Sequence, residues 1–119
     1  MNNHDVASSL ADAKEVRIET SSGHRTHSTI IWVVEVEGDL YVRSFLGDRG
    51  QWYQRALTNP VVALASGNTR NDFTVERVVD DDTINAVSEA FVAKYRPGRS
   101  RDAMVAPDAL DTTLRLHPA

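Results

Sequence analysis

The sequence contains no cysteine. Disulfide frameworks, thiolate nucleophiles, zinc–cysteine sites and iron–sulfur clusters are therefore excluded. Basic excess is also absent: 13 Lys and Arg stand against 17 Asp and Glu, for a net charge of −4 at pH 7. A nucleic-acid partner needs a concentrated basic face and is not expected, although a local cluster of arginines could still hold a small anion. No apolar run is longer than Ile30–Val34, far too short to span a bilayer. Met1–Lys14 carries no apolar block of signal-peptide length, so a soluble, cytoplasmic protein without a membrane partner is expected.

What is present is ordinary for a folded chain, with 41% hydrophobic and 25% charged residues. Its 119 residues read as one domain, 1–119, able to bury roughly two-thirds of the unfolded surface. Val6–Ala13 has apolar residues at i, i+4 and i+7 behind Asp5, a plausible N-cap, and reads as a short helix. Glu15–Thr20 alternates, with Val16 and Ile18 on one side, and reads as a half-buried strand ending in Thr20-Ser21-Ser22-Gly23-His24. Ser28–Glu37 is dense in β-branched residues and meets Gly38-Asp39, a hairpin signal, before a strand over Leu40–Leu46. Gln51–Leu57 places Trp52 with Ala56 and Tyr53 with Leu57 at helical spacing, and Asn59-Pro60 stops that helix. Val61–Ser66 and Thr69–Val79 are strands joined at Gly67-Asn68.

Asp80-Asp81-Asp82 opens the strongest helix, striped by Ile84, Val87, Phe91 and Tyr95 and closed at Pro97-Gly98. A triple aspartate at such a place reads as a helix start and not as a metal site. The tail from Arg99 is polar until Thr113–Leu116, a last strand. Helix, four or five antiparallel strands interrupted by a short helix, a long helix and a final strand make a mainly β, α+β chain. A small antiparallel barrel with flanking helices fits that order.

With Gly38-Asp39 as the loop, Val36 faces Tyr41, Val34 faces Arg43 and Trp32 faces Phe45. One face then holds Trp32, Val34, Val36, Tyr41, Arg43 and Phe45; the other holds Ile31, Val33, Glu35, Val42, Ser44 and Leu46. Both are largely apolar, so one lines the core and the other needs cover from a helix, a partner subunit or a ligand. Arg43 among these rings has two readings. It stacks on a ring or pairs with an acid such as Glu35 or Glu76, or it holds a ligand phosphate beside an aromatic floor.

Four pieces, in order, resemble the flavin- and deazaflavin-binding split-barrel superfamily. They are Thr20-Ser21-Ser22-Gly23-His24-Arg25, Glu37-Gly38-Asp39-Leu40-Tyr41-Val42-Arg43-Ser44, Gly50-Gln51-Trp52-Tyr53 and Leu57-Thr58-Asn59-Pro60. Their spacing is similar to the deazaflavin-dependent nitroreductase-like branch, and an uncharacterised family of short split-barrel proteins is the expected relative. The resemblance implies an antiparallel split β-barrel, a homodimer, and FMN or deazaflavin at or near the subunit interface. By position it implies cofactor contacts from Arg25, Thr26, His27 and Ser28 on the second strand. It implies ring-edge or phosphate contacts from Arg43, Ser44 and Phe45, a phosphate-side loop containing Arg49, and a pocket closed by Trp52 and Tyr53. Three departures stand out: no proline follows the second-strand arginine, Arg49 replaces a lysine after the serine, and Gln54-Arg55 replaces an asparagine.

His24 and His27 lack a surrounding Asp/Glu–His set, so no metal site is expected. No serine lies in a nucleophile-elbow pattern. The resulting expectation is an oxidoreductase passing hydride to a small molecule, the cofactor supplying the chemistry. The alternative is a cofactor-free dimeric module that binds a protein or small ligand.

Overall fold

A computed structural model describes residues 3–119, with side chains from Ser8 onward. Seven strands form one antiparallel sheet: β1 (Val16–Ser22), β2 (Arg25–Ile31), β3 (Val34–Val36), β4 (Asp39–Val42), β5 (Val61–Ser66), β6 (Thr69–Arg77) and β7 (Leu114–Pro118). Five helices flank it: α1 (Asn3–Asp12), α2 (Gln51–Thr58), α3 (Asp81–Lys94), α4 (Arg99–Met104) and α5 (Pro107–Leu110). The spatial order is β2-β1-β5-β6-β7-β4-β3, so the two edge strands are β2 and β3. Only Trp32 and Val33 join those edges, and the three Cα–Cα steps from Ile31 to Val34 reach at most ~11 Å. The sheet therefore curls back on itself into a half-barrel with flanking helices.

The concave side is filled from every strand except β3, and from Val33 in the crossover. Ile18, Leu64, Val33, Val42 and Leu114 are fully buried there, with Trp52 and Ala56 of α2 and Leu10 of α1 against them. The convex side of β3 and β4 is covered by α3, and its Val87 and Phe91 with Tyr95 just after it bury Val34 and Tyr41. That is the cover the second apolar face requires, and it comes from the same chain. Asp80 caps α3 by accepting from the Thr83 N–H at 2.9 Å, as the acidic run suggests. The stripe Val87–Phe91–Tyr95 faces inward, and Asn59 ends α2 in extended geometry before Pro60.

Several expectations need correction. The hairpin turn is Glu37-Gly38 and not Gly38-Asp39, with both residues left-handed (φ 53° and 87°), so Val34 pairs with Tyr41. In a turn of this kind glycine serves best at the second position, which fixes the loop one residue earlier. Because the pairing moves by two residues, the face assignments survive. Ser28–Glu37 is not one strand but breaks at Trp32-Val33. There the Val33 N–H donates to Tyr95 Oη at 3.2 Å, while its carbonyl accepts from Lys94 Nζ at 2.6 Å. Side chains of α3 thus replace the ladder partners where the chain crosses from one sheet edge to the other.

The strand expected over Leu40–Leu46 ends at Val42, and the one expected to reach Val79 ends at Arg77. The polar tail contains α4 and α5, too short to leave a periodic signal. Leu57 is exposed, so the α2 stripe is Trp52, Tyr53 and Ala56. Helix α1 begins at Asn3, before Val6; the Asp5 cap and the Val6 contact lie outside the described residues. No helix among the described residues is long and apolar enough to cross a membrane.

Candidate functional site

Beyond Val42 the chain leaves β4 and turns sharply towards α2. Gly47 makes that turn possible: its φ is +64°, its N–H donates to the Ser44 carbonyl at 3.0 Å, and a Cβ would meet the Asp108 carbonyl at 3.1 Å. The turn folds Ser44 under Gly50, the residue that precedes α2. A Cβ at Gly50 would overlap Ser44 Oγ, so any larger residue there must displace this hydroxyl. Ser44 is 1% exposed, and its Oγ is a buried side-chain oxygen with no hydrogen-bond partner among the described residues. No side chain caps α2. Its first main-chain N–H groups, from Gln51 onward, have no partner within the helix.

Ser44 and Gly50 line a cavity of about 510 Å³, a size typical of small-molecule sites. Trp32, Phe45 and Trp52 give it aromatic walls, and Ile30 and Leu46 stand at its side. Trp32 is held by a parallel stack on Tyr95, centroids 3.8 Å apart, and Tyr95 Oη donates to the Lys14 carbonyl at 2.8 Å. Ile30, Phe45 and Leu46 are 65%, 52% and 56% exposed, which makes the opening apolar.

Arg43 also borders this cavity, but its guanidinium is turned to the protein. Nε donates to Thr113 Oγ1 (2.8 Å), one terminal nitrogen to Ser88 Oγ (2.8 Å) and the Met104 carbonyl (3.0 Å), and the other to the Ile84 carbonyl (2.8 Å). The side chain is fully buried, lies 5.5 Å from the Phe91 ring centroid, and has its pKa pushed down to about 10 by burial. The ring it meets is therefore Phe91 of α3. Glu76 pairs with Arg115 and His117, and no ion pair joins Arg43 to Glu35 or Glu76 among the described residues.

Of the residues singled out from sequence, Arg43, Ser44, Phe45 and Trp52 meet at this cavity. Tyr53 is buried in the concave core, edge-on to Trp52. Arg25, Thr26 and Ser28 are exposed on the far half of β2, while Thr29, Ile30 and Ile31 of the near half line the cavity. His27 borders a second cavity on the other side of α2, and Arg49 borders a third beside Asp108 and Asp111. Arg25, Arg43 and Arg49 do not share one opening in this chain. The cation that does reach the cavity is Arg55, which, like Gln51, is not among the site residues expected from the sequence. In the sequence it stands out only as part of Gln54-Arg55, the segment that replaces an asparagine of the resembled branch.

The curled sheet and the edge-to-edge crossover, with helices packed on both sides, define a split-barrel fold. A family profile matches residues 7–116, and the chain belongs to that family, described as an uncharacterised protein conserved in bacteria (DUF2255). No curated protein matches the sequence. Among solved structures the chain is similar to a provisionally assigned pyridoxamine 5'-phosphate oxidase from Listeria innocua, with TM-score 0.71, 13% identity, and 98% and 92% of the two chains covered. It is similar to an F420-H2 dependent reductase (TM-score 0.68, 19% identity, covering 87% of this chain and 94% of that one). It is also similar to an FAD-binding protein from Mycobacterium smegmatis (TM-score 0.66, 14% identity, covering 100% and 92%).

Proposed function

We propose that the protein is a flavin- or deazaflavin-binding oxidoreductase, with its ring ligand in the cavity between Trp32 and Trp52, and that it works as a homodimer. One observation carries the reading: Ser44 Oγ is buried without a partner against Gly50, at the uncapped N-terminus of α2. An unsatisfied buried hydroxyl costs roughly 1–3 kcal/mol, so its retention points to a partner that arrives with a ligand. An oxygen-rich, anionic group fits, because helix N–H groups and the helix dipole favour negative charge there. The aromatic walls fit a flat ring beside it.

A bound flavin or deazaflavin supplies hydride chemistry. The chain's own task is to bind, orient and dry the ring: Trp32 and Trp52 form rigid walls, and Ser44 with the start of α2 would fix the polar chain. Phe45, Leu46 and Ile30 remain half-exposed at the opening, and a second copy laid across them would exclude water from it.

The absorption spectrum of the purified protein, followed by titration with FMN, FAD and F420, tests the ligand. Failure of all three to bind overturns the reading in favour of a cofactor-free module. Sedimentation tests the pairing: a species at the single-chain mass of 13.2 kDa refutes it.

A further inference from the structure

The second cavity lies across α2 from the first and has a volume of about 500 Å³. Gln51 and Arg55, one helical turn apart, line both cavities and so form the ridge between them. Ser21 and Ser22 at the end of β1, His27 of β2, Gln54 and Thr58 of α2 and Asn59 after it supply the rest of the polar lining. Among the described residues no carboxylate lines this second cavity, although the chain carries 17 Asp and Glu.

Arg55 is held ready. Its Nε donates at 2.8 Å to Oγ1 of Thr20, a residue 1% exposed, which fixes the plane of the guanidinium. No ion pair is formed by Arg55 among the described residues. The terminal nitrogens of an anchored fork suit phosphate or carboxylate oxygens, and little side-chain entropy remains to be lost on binding.

We propose that the second cavity is an anion compartment for the ring ligand, in which Arg55 holds a phosphate or carboxylate on an extension that crosses the Gln51–Arg55 ridge. This rests on the ring-ligand reading, and it narrows the ligand to one longer than FMN: a flavin dinucleotide or a deazaflavin with an anionic tail.

Calorimetric titration of the full chain with FMN, FAD, F420 and inorganic pyrophosphate tests it, using wild type, Arg55→Gln and Arg55→Lys. FAD or F420 should bind at least about tenfold more tightly than FMN. Arg55→Gln should remove that advantage while leaving FMN within about threefold, and Arg55→Lys, which keeps the charge, should retain part of it. Pyrophosphate should bind wild type, be lost in Arg55→Gln, and compete with the longer ligand. Whichever of FAD and F420 holds the advantage identifies the extension. Equal affinity for FMN and both longer ligands, or an equal loss for all three in Arg55→Gln, overturns the proposal. If no ring ligand binds, the ring reading fails separately; Arg55-dependent pyrophosphate binding then still supports the compartment, and its absence overturns that too. Thermal melts confirm that each variant is folded, and should Arg55→Gln not fold, Arg55→Lys and pyrophosphate competition on wild type decide the matter.

Discussion

Arg43→Ala tests whether a buried arginine in this protein is a structural tie. The guanidinium joins the end of β4 to α3 through Ile84 and Ser88, to α4 through Met104, and to the start of β7 through Thr113. Thr113 Oγ1 in turn donates to the Leu110 carbonyl at 2.7 Å, so the chain of bonds continues into α5. Each hydrogen bond from a charged donor is worth ~1.5–3 kcal/mol, but bringing the cation out of water offsets much of their sum. The lowered pKa of about 10 is the sign of that cost. Truncation leaves neutral acceptors without a donor and a void beside Phe91, and a net loss of about 3–5 kcal/mol follows. Against a total stability of ~5–15 kcal/mol, that is a large fraction. Urea denaturation should show a lower midpoint at unchanged slope, and Arg43→Lys, with one point charge for several acceptors, should recover less than half of the loss. A loss below ~1 kcal/mol at unchanged slope would refute the reasoning, since the four bonds would then carry no net stability.

Three further outcomes are expected. Phe91→Ala should cost about 3–5 kcal/mol in the same denaturation assay, because the ring is fully buried; a loss near ~0.5 kcal/mol would mean that α3 does not pack as described. Burial pushes the Lys94 pKa down to about 8, so between about pH 8 and 10.5 the unfolded chain holds a proton that the folded one does not, and stability rises with pH. Tyr95, pushed up to about 12 by burial, acts oppositely above pH 10, and melts of wild type against Lys94→Met should show the rise only in wild type. Ser44→Ala should leave stability unchanged or raise it while weakening ligand binding by ~1.5–3 kcal/mol; a loss of stability with no change in binding would assign the hydroxyl to the fold.

Most of the fold is legible in periodicity, because each strand of a one-sided sheet must alternate and each covering helix must carry a stripe. Val16 and Ile18, Val62 and Leu64, and Leu114 and Leu116 all alternate and all face the concave core. The stripe Val87, Phe91 and Tyr95 reads the same way on α3. The break at Val33 is illegible because its cause lies more than sixty positions away, in Lys94 and Tyr95. Without those two side chains Ser28–Glu37 has every local reason to stay one strand. Likewise α4 and α5 are each shorter than two turns, and a period cannot be read from so few residues.

The site is less legible, and the two arginines show why. Sequence alternation correctly puts Arg43 on the face shared with Val34 and Tyr41, and that face is closed by α3. A cation sealed under a helix must be satisfied by the protein, and the Arg43 donors find acceptors in the elements that seal it. Arg55 shows no such conflict in the sequence, since a basic residue on the outer side of a short helix is ordinary. What sets it apart is a hydroxyl from β1 that fixes its plane and a cavity on either side, and neither is a local property. Ser44 and Gly50 follow the same rule: their contact depends on the left-handed turn at Gly47, and the sequence offers only a loop there. Residues that hold the fold are thus marked by misfit in their own segment. Residues offered to a ligand are marked by what the fold leaves unsatisfied, which appears only once the segments are brought together.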